Sequence, residues 1–148
     1  MKTMFDKLTR EELIGRINKL DENSLPQWGK MNSFQMLKHC TLWEEMIAGQ
    51  KKYKRVFLGY VFGKLALKQV TKDETPLRRS TPSTSALIIK ETSGNMPAEK
   101  KKWIGLIEGY QNFSNTNFIH PFFGKMSKEQ IGIMAYKHAD HHLRQFNL

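Results

Sequence analysis

Two segments near the start of the chain show the apolar spacing of amphipathic helices. Thr9 begins a capping-box pattern, and apolar residues recur every three or four positions after it, so we predict a first helix over residues 10–20. Asn32 and Gln35 offer a second helix start. The apolar face that follows them predicts a second helix that ends near Gly49.

The middle of the chain is less regular. Residues 56–68 predict a short helix that is apolar on more than one side and is interrupted by Gly59 and Gly63. Residues 73–85 are rich in Thr, Ser and Pro and predict an extended loop. Residues 86–89 predict a short strand, although one isolated strand does not define a sheet.

Two further helices are predicted in the last third of the chain. Pro97 suits the first turn of one of them, and a continuous apolar stripe follows it. After a loop over residues 115–124, Ser127 and Gln130 form a capping box for a last helix that ends at about Gln145.

Together these elements predict an all-α fold in one domain, residues 1–148. The economical arrangement is an antiparallel four-helix bundle with a long connection between the second and third main helices.

Composition narrows the class of protein. Hydrophobic residues make up 39% and charged residues 26%, which is typical of a globular chain. Residues 1–6 contain no apolar core of a signal peptide, and the most apolar stretch, residues 56–70, is interrupted by lysines and too short to span a bilayer. The single cysteine, Cys40, has no internal disulfide partner, so we expect a cytoplasmic protein.

The net charge of +10 could indicate a nucleic-acid or membrane partner. The Lys and Arg residues are scattered in small clusters, however, without an RNA-binding motif or zinc-finger spacing. We interpret the clusters as solvated helix faces and expect neither a nucleic-acid nor a membrane partner.

The histidines are the residues that most clearly indicate a functional site. His138 and His142 are one helical turn apart and continue the apolar line of the last helix, so both rings are predicted on its buried face. His141 lies about 100° from His142 on the helix, away from the centre of that face, and is the weaker candidate. Such a pair is either two surface histidines or two metal ligands on one rigid element.

The position of His39 favours the interpretation of His138 and His142 as metal ligands. It lies at the edge of the apolar stripe of the second helix, where a single histidine would ordinarily be a hydrogen-bonded core residue. Opposite His138 and His142 it would complete a three-His site with open positions for water or substrate. Three buried imidazoles without a metal would leave polar nitrogens unpaired. We therefore predict that His39, His138 and His142 bind a divalent metal such as zinc, nickel or iron.

No acid or base for catalysis is indicated by spacing. Glu44, Glu45 and Glu108 are interpreted as solvated charges in preference to general bases. Cys40 is predicted to pack as a small hydrophobe.

The remaining polar residues near the predicted ligands have open roles. His120 is interpreted as a loop residue, with a role beside the metal or substrate as the alternative. Tyr136, Asp140 and Gln145 are candidates to orient the ligand histidines, and the sequence does not select among them.

Four stretches resemble DinB/YfiT-like proteins. Residues 28–32 and 36–39 are similar to the start of the second helix in that superfamily. Residues 120–126 and 136–146 resemble one branch of it to which no reaction is assigned. Residues 51–96 are the least diagnostic.

The resemblance implies a DinB-like four-helix bundle and a divalent metal held by His39, His138 and His142. Superfamily members with known activity include thiol-dependent S-transferases and a maleylpyruvate isomerase that uses low-molecular-weight thiols, and others are described as metal-dependent hydrolases. It therefore implies a small-molecule substrate, a low-molecular-weight thiol as cosubstrate, and a homodimer.

Three hypotheses follow. The first is a metal-dependent enzyme that transfers a small thiol or hydrolyses a small substrate. The second is a metal-binding or sensing protein without turnover. The third is a basic nucleic-acid-associated protein in which the histidine cluster is incidental.

Overall fold

Five α-helices make up most of the protein in the computed structural model, which describes residues 1–81 and 84–148. In chain order they are α1 (Lys7–Lys19), α2 (Ser33–Ile47), α3 (Phe57–Val70), α4 (Met96–Glu108) and α5 (Lys128–Gln145). Two 3₁₀ turns, Ser85–Leu87 and Gly109–Asn112, and two strands, β1 (Ile119–His120) and β2 (Gly124–Lys125), complete the described elements. The protein is thus mostly helical, which agrees with the predicted all-α class.

Side-chain caps explain where two helices begin. The Asn32 side chain accepts from the Gln35 amide while Gln35 caps the Asn32 amide, and Ser127 and Gln130 repeat this exchange before α5. The helix start predicted at Asn32 and the capping box predicted at Ser127 are both confirmed.

The start of the first helix was predicted wrongly. The N-cap of α1 is Asp6, whose carboxylate accepts from the Leu8 amide and from the Thr9 hydroxyl. Because the Asp6 side chain, three residues earlier, already supplies the cap, Thr9 lies inside the helix and α1 begins at Lys7.

Four helices pack around one hydrophobic core. α1 contacts α4 and α5, and α2 contacts the same two helices. Each of these helices contributes side chains without exposed surface, and burial of one such side chain stabilises the fold by about 1.5–3 kcal/mol. Examples are Leu13, Ile17, Met36, Leu37, Trp103, Ile107, Ile131 and Leu143.

α3 packs on the β1–β2 hairpin and contributes the buried Leu67 to this core. Gly59 and Gly63 face the backbone of the turn, where a Cβ atom at either position would clash with the Phe122 carbonyl oxygen. The Arg55 side chain reinforces the contact by donating to the carbonyls of Pro121 and Gly59. The hairpin, β1 paired antiparallel with β2, was not predicted from the sequence.

The long connection between α3 and α4 contains no strand in its described part. Residues 73–81 are irregular, as predicted, and residues 82 and 83 of the predicted loop lie outside the described residues. The strand prediction at residues 86–89 is wrong, because this segment forms a 3₁₀ turn and then extended chain without a pairing partner among described residues.

Among residues 1–81 and 84–148, no helix has the length and apolar character needed to cross a membrane. The buried side of α5 is apolar except for several polar side chains. Two of these, His138 and His142, belong to the site described next.

Candidate metal centre

His39 lies on α2 and is 2% exposed. Its Nδ1 is 3.0 Å from the carbonyl oxygen of Leu87, in the 3₁₀ turn of the long connection. Because a carbonyl oxygen can only accept, Nδ1 carries the proton and donates, and the lone pair is on Nε2.

His142, on α5, is held in the same way by a side chain. Its Nδ1 is 2.9 Å from Oε1 of Gln145. The Gln145 amide is oriented by its other end, since Nε2 donates to the Trp28 carbonyl at 2.7 Å. Nδ1 of His142 therefore donates, and its lone pair is also on Nε2.

His138 lies one turn before His142, and the two ring centroids are 4.7 Å apart. Trp43 stacks on the His138 ring with centroids 4.3 Å apart and planes 15° apart. Since Trp43 is one turn after His39 on α2, the same helix provides a ligand candidate and an apolar wall that limits the position of His138.

The three imidazoles converge. Nε2 of His39 and Nε2 of His138 are 3.2 Å apart, and candidate ligand atoms of His39, His138 and His142 lie within 4.8 Å of one another. Two nitrogens bound at about 2.0–2.1 Å to a tetrahedral zinc ion are about 3.4 Å apart. The donor type and the spacing therefore fit one divalent metal, and three buried histidines could hold it.

Burial keeps these rings neutral. It lowers the pKa of His39 and of His138, and it lowers the pKa of His142 to about 3. Neighbouring histidines lower the pKa of His138 further, because two adjacent imidazolium ions would repel each other. Neutral imidazole is the form that binds metals, so the rings need no deprotonation at neutral pH.

His141 lies outside this group. It is half-buried, and its ring contacts Trp28 and His142 edge-on, with centroids 5.6 Å and 5.1 Å apart. The structure thus brings together the three histidines that the sequence predicted as ligands, while ligation itself stays a prediction.

His120 is a buried residue of β1, next to the turn of the hairpin. Its Nδ1 accepts from the backbone amides of Phe122 and Phe123, which stabilises the turn between β1 and β2. Burial lowers its pKa to about 4, and the nearby Arg55 guanidinium acts in the same direction. His120 therefore lies in a short strand and not in the loop to which the sequence analysis assigned it.

Of the three glutamates that were interpreted as solvated charges, two are buried. Glu44 is 2% exposed and accepts from the Tyr110 hydroxyl at 2.6 Å, while its Oε1 has no hydrogen-bond partner among described residues. Burial raises the pKa of Glu44 to about 8. Glu45 is buried and pairs with Lys51 and Lys102. Only Glu108 is solvent-exposed, as predicted.

The spacing of residues on α2 contains a signal for the burial of Glu44. Glu44 follows Cys40 by four residues on the apolar face of α2, and both are buried. Cys40 packs as the predicted small hydrophobe, and burial raises its pKa well above the ordinary value, so it is not a thiolate.

Of the three residues considered for orienting the ligands, the structure selects Gln145. Asp140 instead accepts from Arg16 at 2.8 Å. Tyr136 lies under the Lys2 ammonium group, 5.7 Å from the ring centroid.

Comparison with known proteins identifies a family whose function is unknown. No curated protein and no solved structure matches the chain. A family model described as "Protein of unknown function (DUF1569)" matches residues 2–148. Because the match covers nearly the whole sequence, the chain belongs to the DUF1569 family.

Proposed function

We propose that this protein is a metal-dependent enzyme of the DinB-like type, with His39, His138 and His142 as ligands of one divalent metal. It acts on a small molecule, either by transferring a low-molecular-weight thiol or by hydrolysis. The observation that carries the proposal is the convergence of three neutral, buried imidazoles, two of which donate to protein oxygens through Nδ1 and keep the lone pair on Nε2.

The packing of the helices supports the fold named in this proposal. α1 and α2 each contact both α4 and α5, which is the pattern of neighbours around a four-helix bundle. The connection between α2 and α4 carries α3 and the turn that binds His39. These features suit a DinB-like bundle with a long connection between its second and third main helices.

The donor set supports Lewis-acid chemistry. Three neutral ligands leave the full positive charge of a divalent metal uncompensated, so zinc, nickel or iron bound there would acidify a water or a thiol. The protein itself orients His39 through Leu87 and His142 through Gln145. Trp43 excludes water from one face of His138.

A metal-binding protein without turnover is the second candidate, and one observation favours it. His39, His138 and His142 are 2%, 8% and 7% exposed, so little of the site faces solvent. A closed site of this kind stabilises a fold or senses a metal, whereas catalysis requires a position that water or substrate can reach.

Cobalt substitution distinguishes the two candidates. Cobalt(II) suits the same ligands, and its visible spectrum reports coordination. If the site is catalytic, a small thiol will change the spectrum, and the protein will cleave a nitrophenyl ester or join the thiol to a chloronitrobenzene. His138→Ala should abolish both effects, and His141→Ala should retain them. If no thiol alters the cobalt spectrum and neither probe is turned over, the enzyme proposal is contradicted. The protein would then be a metal-binding protein with a closed site.

A further inference from the structure

The outward side of α3 is an apolar surface that no described part of the protein covers. Six large hydrophobic side chains on this helix are between 53% and 80% exposed. They are Phe57, Leu58, Tyr60, Val61, Phe62 and Leu65, and we call them the α3 face. Single exposed hydrophobics are ordinary, but six on one helix form a contiguous patch of the kind that marks an interaction site.

The α3 face is exposed because α3 is anchored by its opposite side. Gly59, Gly63 and Leu67 are the buried residues of the helix, and they follow one another at helical spacing. The two glycines allow the helix backbone to approach the Phe122 carbonyl closely. The orientation is therefore fixed by packing, and the large apolar side chains project from the surface of the molecule.

The charged residues of α3 and of the segment before it are all positive. Lys52 and Lys54 precede the helix, and Lys64 and Lys68 lie seven residues after Phe57 and Val61, on the same side of it. None of these four lysines forms a salt bridge within residues 1–81 and 84–148. The sequence from residue 46 to residue 72 contains no Asp or Glu.

This charge argues against a second copy of the chain as the occupant. In a two-fold symmetric dimer the same patch meets itself, so the lysines of one copy would face those of the other. Like charges brought together at an interface are unfavourable, and the net charge of +10 adds to the repulsion. An occupant with negative charge and an apolar interior satisfies both parts of the surface.

We propose that the α3 face binds the surface of an anionic membrane. α3 lies parallel to the surface, with its phenylalanine and leucine side chains at the boundary between headgroups and acyl chains and its lysines at the lipid phosphates. Lysine stems are long enough to place the ammonium group among headgroups beside buried apolar residues. From the sequence we expected no membrane partner, because no segment can span a bilayer and the basic clusters were interpreted as solvated helix faces. A helix that lies on the membrane surface, however, needs no span.

Vesicle binding tests the proposal with the whole protein. Sedimentation is measured with vesicles of phosphatidylcholine alone and with vesicles of equal parts phosphatidylcholine and phosphatidylglycerol. We expect binding to the anionic vesicles only, and weaker binding as salt is raised. The double variant Val61→Ser, Leu65→Ser should bind at least about tenfold more weakly, because its apolar contribution is smaller.

Two controls match those changes elsewhere on the surface. Leu25→Ser removes an equally exposed leucine, and Lys101→Glu changes an exposed lysine of α4. Both should bind as the wild type does, whereas Lys64→Glu should lose binding to anionic vesicles. All the changed side chains are exposed, so circular dichroism should be unaltered.

Three results would overturn the proposal. The first is absence of binding to the anionic vesicles at low salt. The second is a dimer in light scattering that the Val61→Ser, Leu65→Ser variant converts to a monomer. The third is salt-sensitive binding to a DNA duplex that Lys64→Glu removes, with vesicle binding that the serine variant leaves unchanged. Metal content is independent of all three, so these outcomes leave the proposed function untouched.

Discussion

Gln145 is the single residue on which the orientation of a candidate ligand depends most directly. Its amide is bound at both ends, with Oε1 accepting from His142 Nδ1 and Nε2 donating to the Trp28 carbonyl. Such partners of a metal-binding histidine keep the ring in one tautomer and one orientation. The residue therefore links the end of α5 to the loop that precedes α2.

Replacing Gln145 should weaken metal binding without removing a ligand. In Gln145→Leu, His142 loses the acceptor for its Nδ1 proton, and we expect zinc affinity to fall about 10- to 100-fold in competition with a chelator. Gln145→Glu keeps an acceptor and should retain more of the affinity. Equal zinc affinities for wild type and Gln145→Leu would show that the hydrogen bond does not orient the ring for a metal. Gln111→Leu, at an exposed position, is the control.

Glu44 should make the stability of the protein depend on pH. Its pKa is about 8 in the folded protein and near 4.5 when solvated, so the folded protein holds a proton that the unfolded chain releases. This contribution to stability is complete below pH 4.5 and is lost as pH rises through about 8. The Tyr110 hydrogen bond opposes the shift but does not cancel it.

Glu44→Gln should therefore stabilise the protein in alkaline solution. A glutamine keeps the acceptor for Tyr110 and cannot ionise, so at pH 8 the free energy of unfolding should exceed that of the wild type by about 1–3 kcal/mol. Near pH 5 the difference should become small. Urea unfolding at both pH values measures it, with Glu108→Gln as an exposed control. An identical pH dependence in wild type and Glu44→Gln would contradict the burial of an ionisable carboxyl.

At the scale of residues, the sequence predicted which histidines lie close together but not which groups contact them. Helical periodicity placed His138 and His142 on one face because their spacing is local. The acceptor of His39, Leu87, is 48 residues away in an irregular segment, where no periodic pattern exists. The partner of Glu44, Tyr110, is 66 residues away, so the burial of that carboxyl depends on long-range packing.

At the scale of elements, α3 is defined by the glycines that attach it to the hairpin. A Cβ at Gly63 would lie 2.1 Å from the Phe122 carbonyl oxygen, and backbone cannot move aside as a flexible side chain can. Gly63 does not have a positive φ, so the constraint is close approach and not backbone conformation.

Gly63→Ala should separate α3 from the hairpin. The clash should lower the free energy of local opening by about 1–3 kcal/mol, which accelerates amide hydrogen exchange in α3. Gly105→Ala is the matched control, because a Cβ there meets nothing within 4 Å, and it should stabilise α4 by about 0.5–1 kcal/mol. Unchanged exchange in α3 of Gly63→Ala would show that the close contact with Phe122 does not hold the helix.

Two helix starts with local capping boxes were predicted correctly, whereas the start of α1 and the elements defined by contacts were not. The capping boxes at Asn32 and Ser127 are local, so the starts of α2 and α5 follow from the sequence. The orientation of α3 does not, because its apolar residues surround most of the helix and only the hairpin decides which side is covered. The 3₁₀ turn at Ser85–Leu87 was mistaken for part of a strand, because no local cap or periodic pattern in the sequence marks it.

At the scale of the whole molecule, the candidate site joins parts that are distant in sequence. α2 supplies His39 and Trp43, α5 supplies His138 and His142, and the connection between α3 and α4 supplies the Leu87 carbonyl. A metal bound to the three histidines would therefore link two helices of the core. Metal binding to the folded form alone also raises its stability, in proportion to the logarithm of free metal over the dissociation constant.

Metal content tests the central claim most directly. Untagged protein from metal-supplemented growth is measured by elemental analysis, with His138→Ala as the ligand variant and His141→Ala as its matched neighbour. We predict about one equivalent of zinc, nickel or iron in the wild type and in His141→Ala, and less than about a tenth in His138→Ala with unchanged circular dichroism. Less than about a tenth of an equivalent in the wild type, or equal content in His138→Ala, would contradict a metal centre formed by His39, His138 and His142.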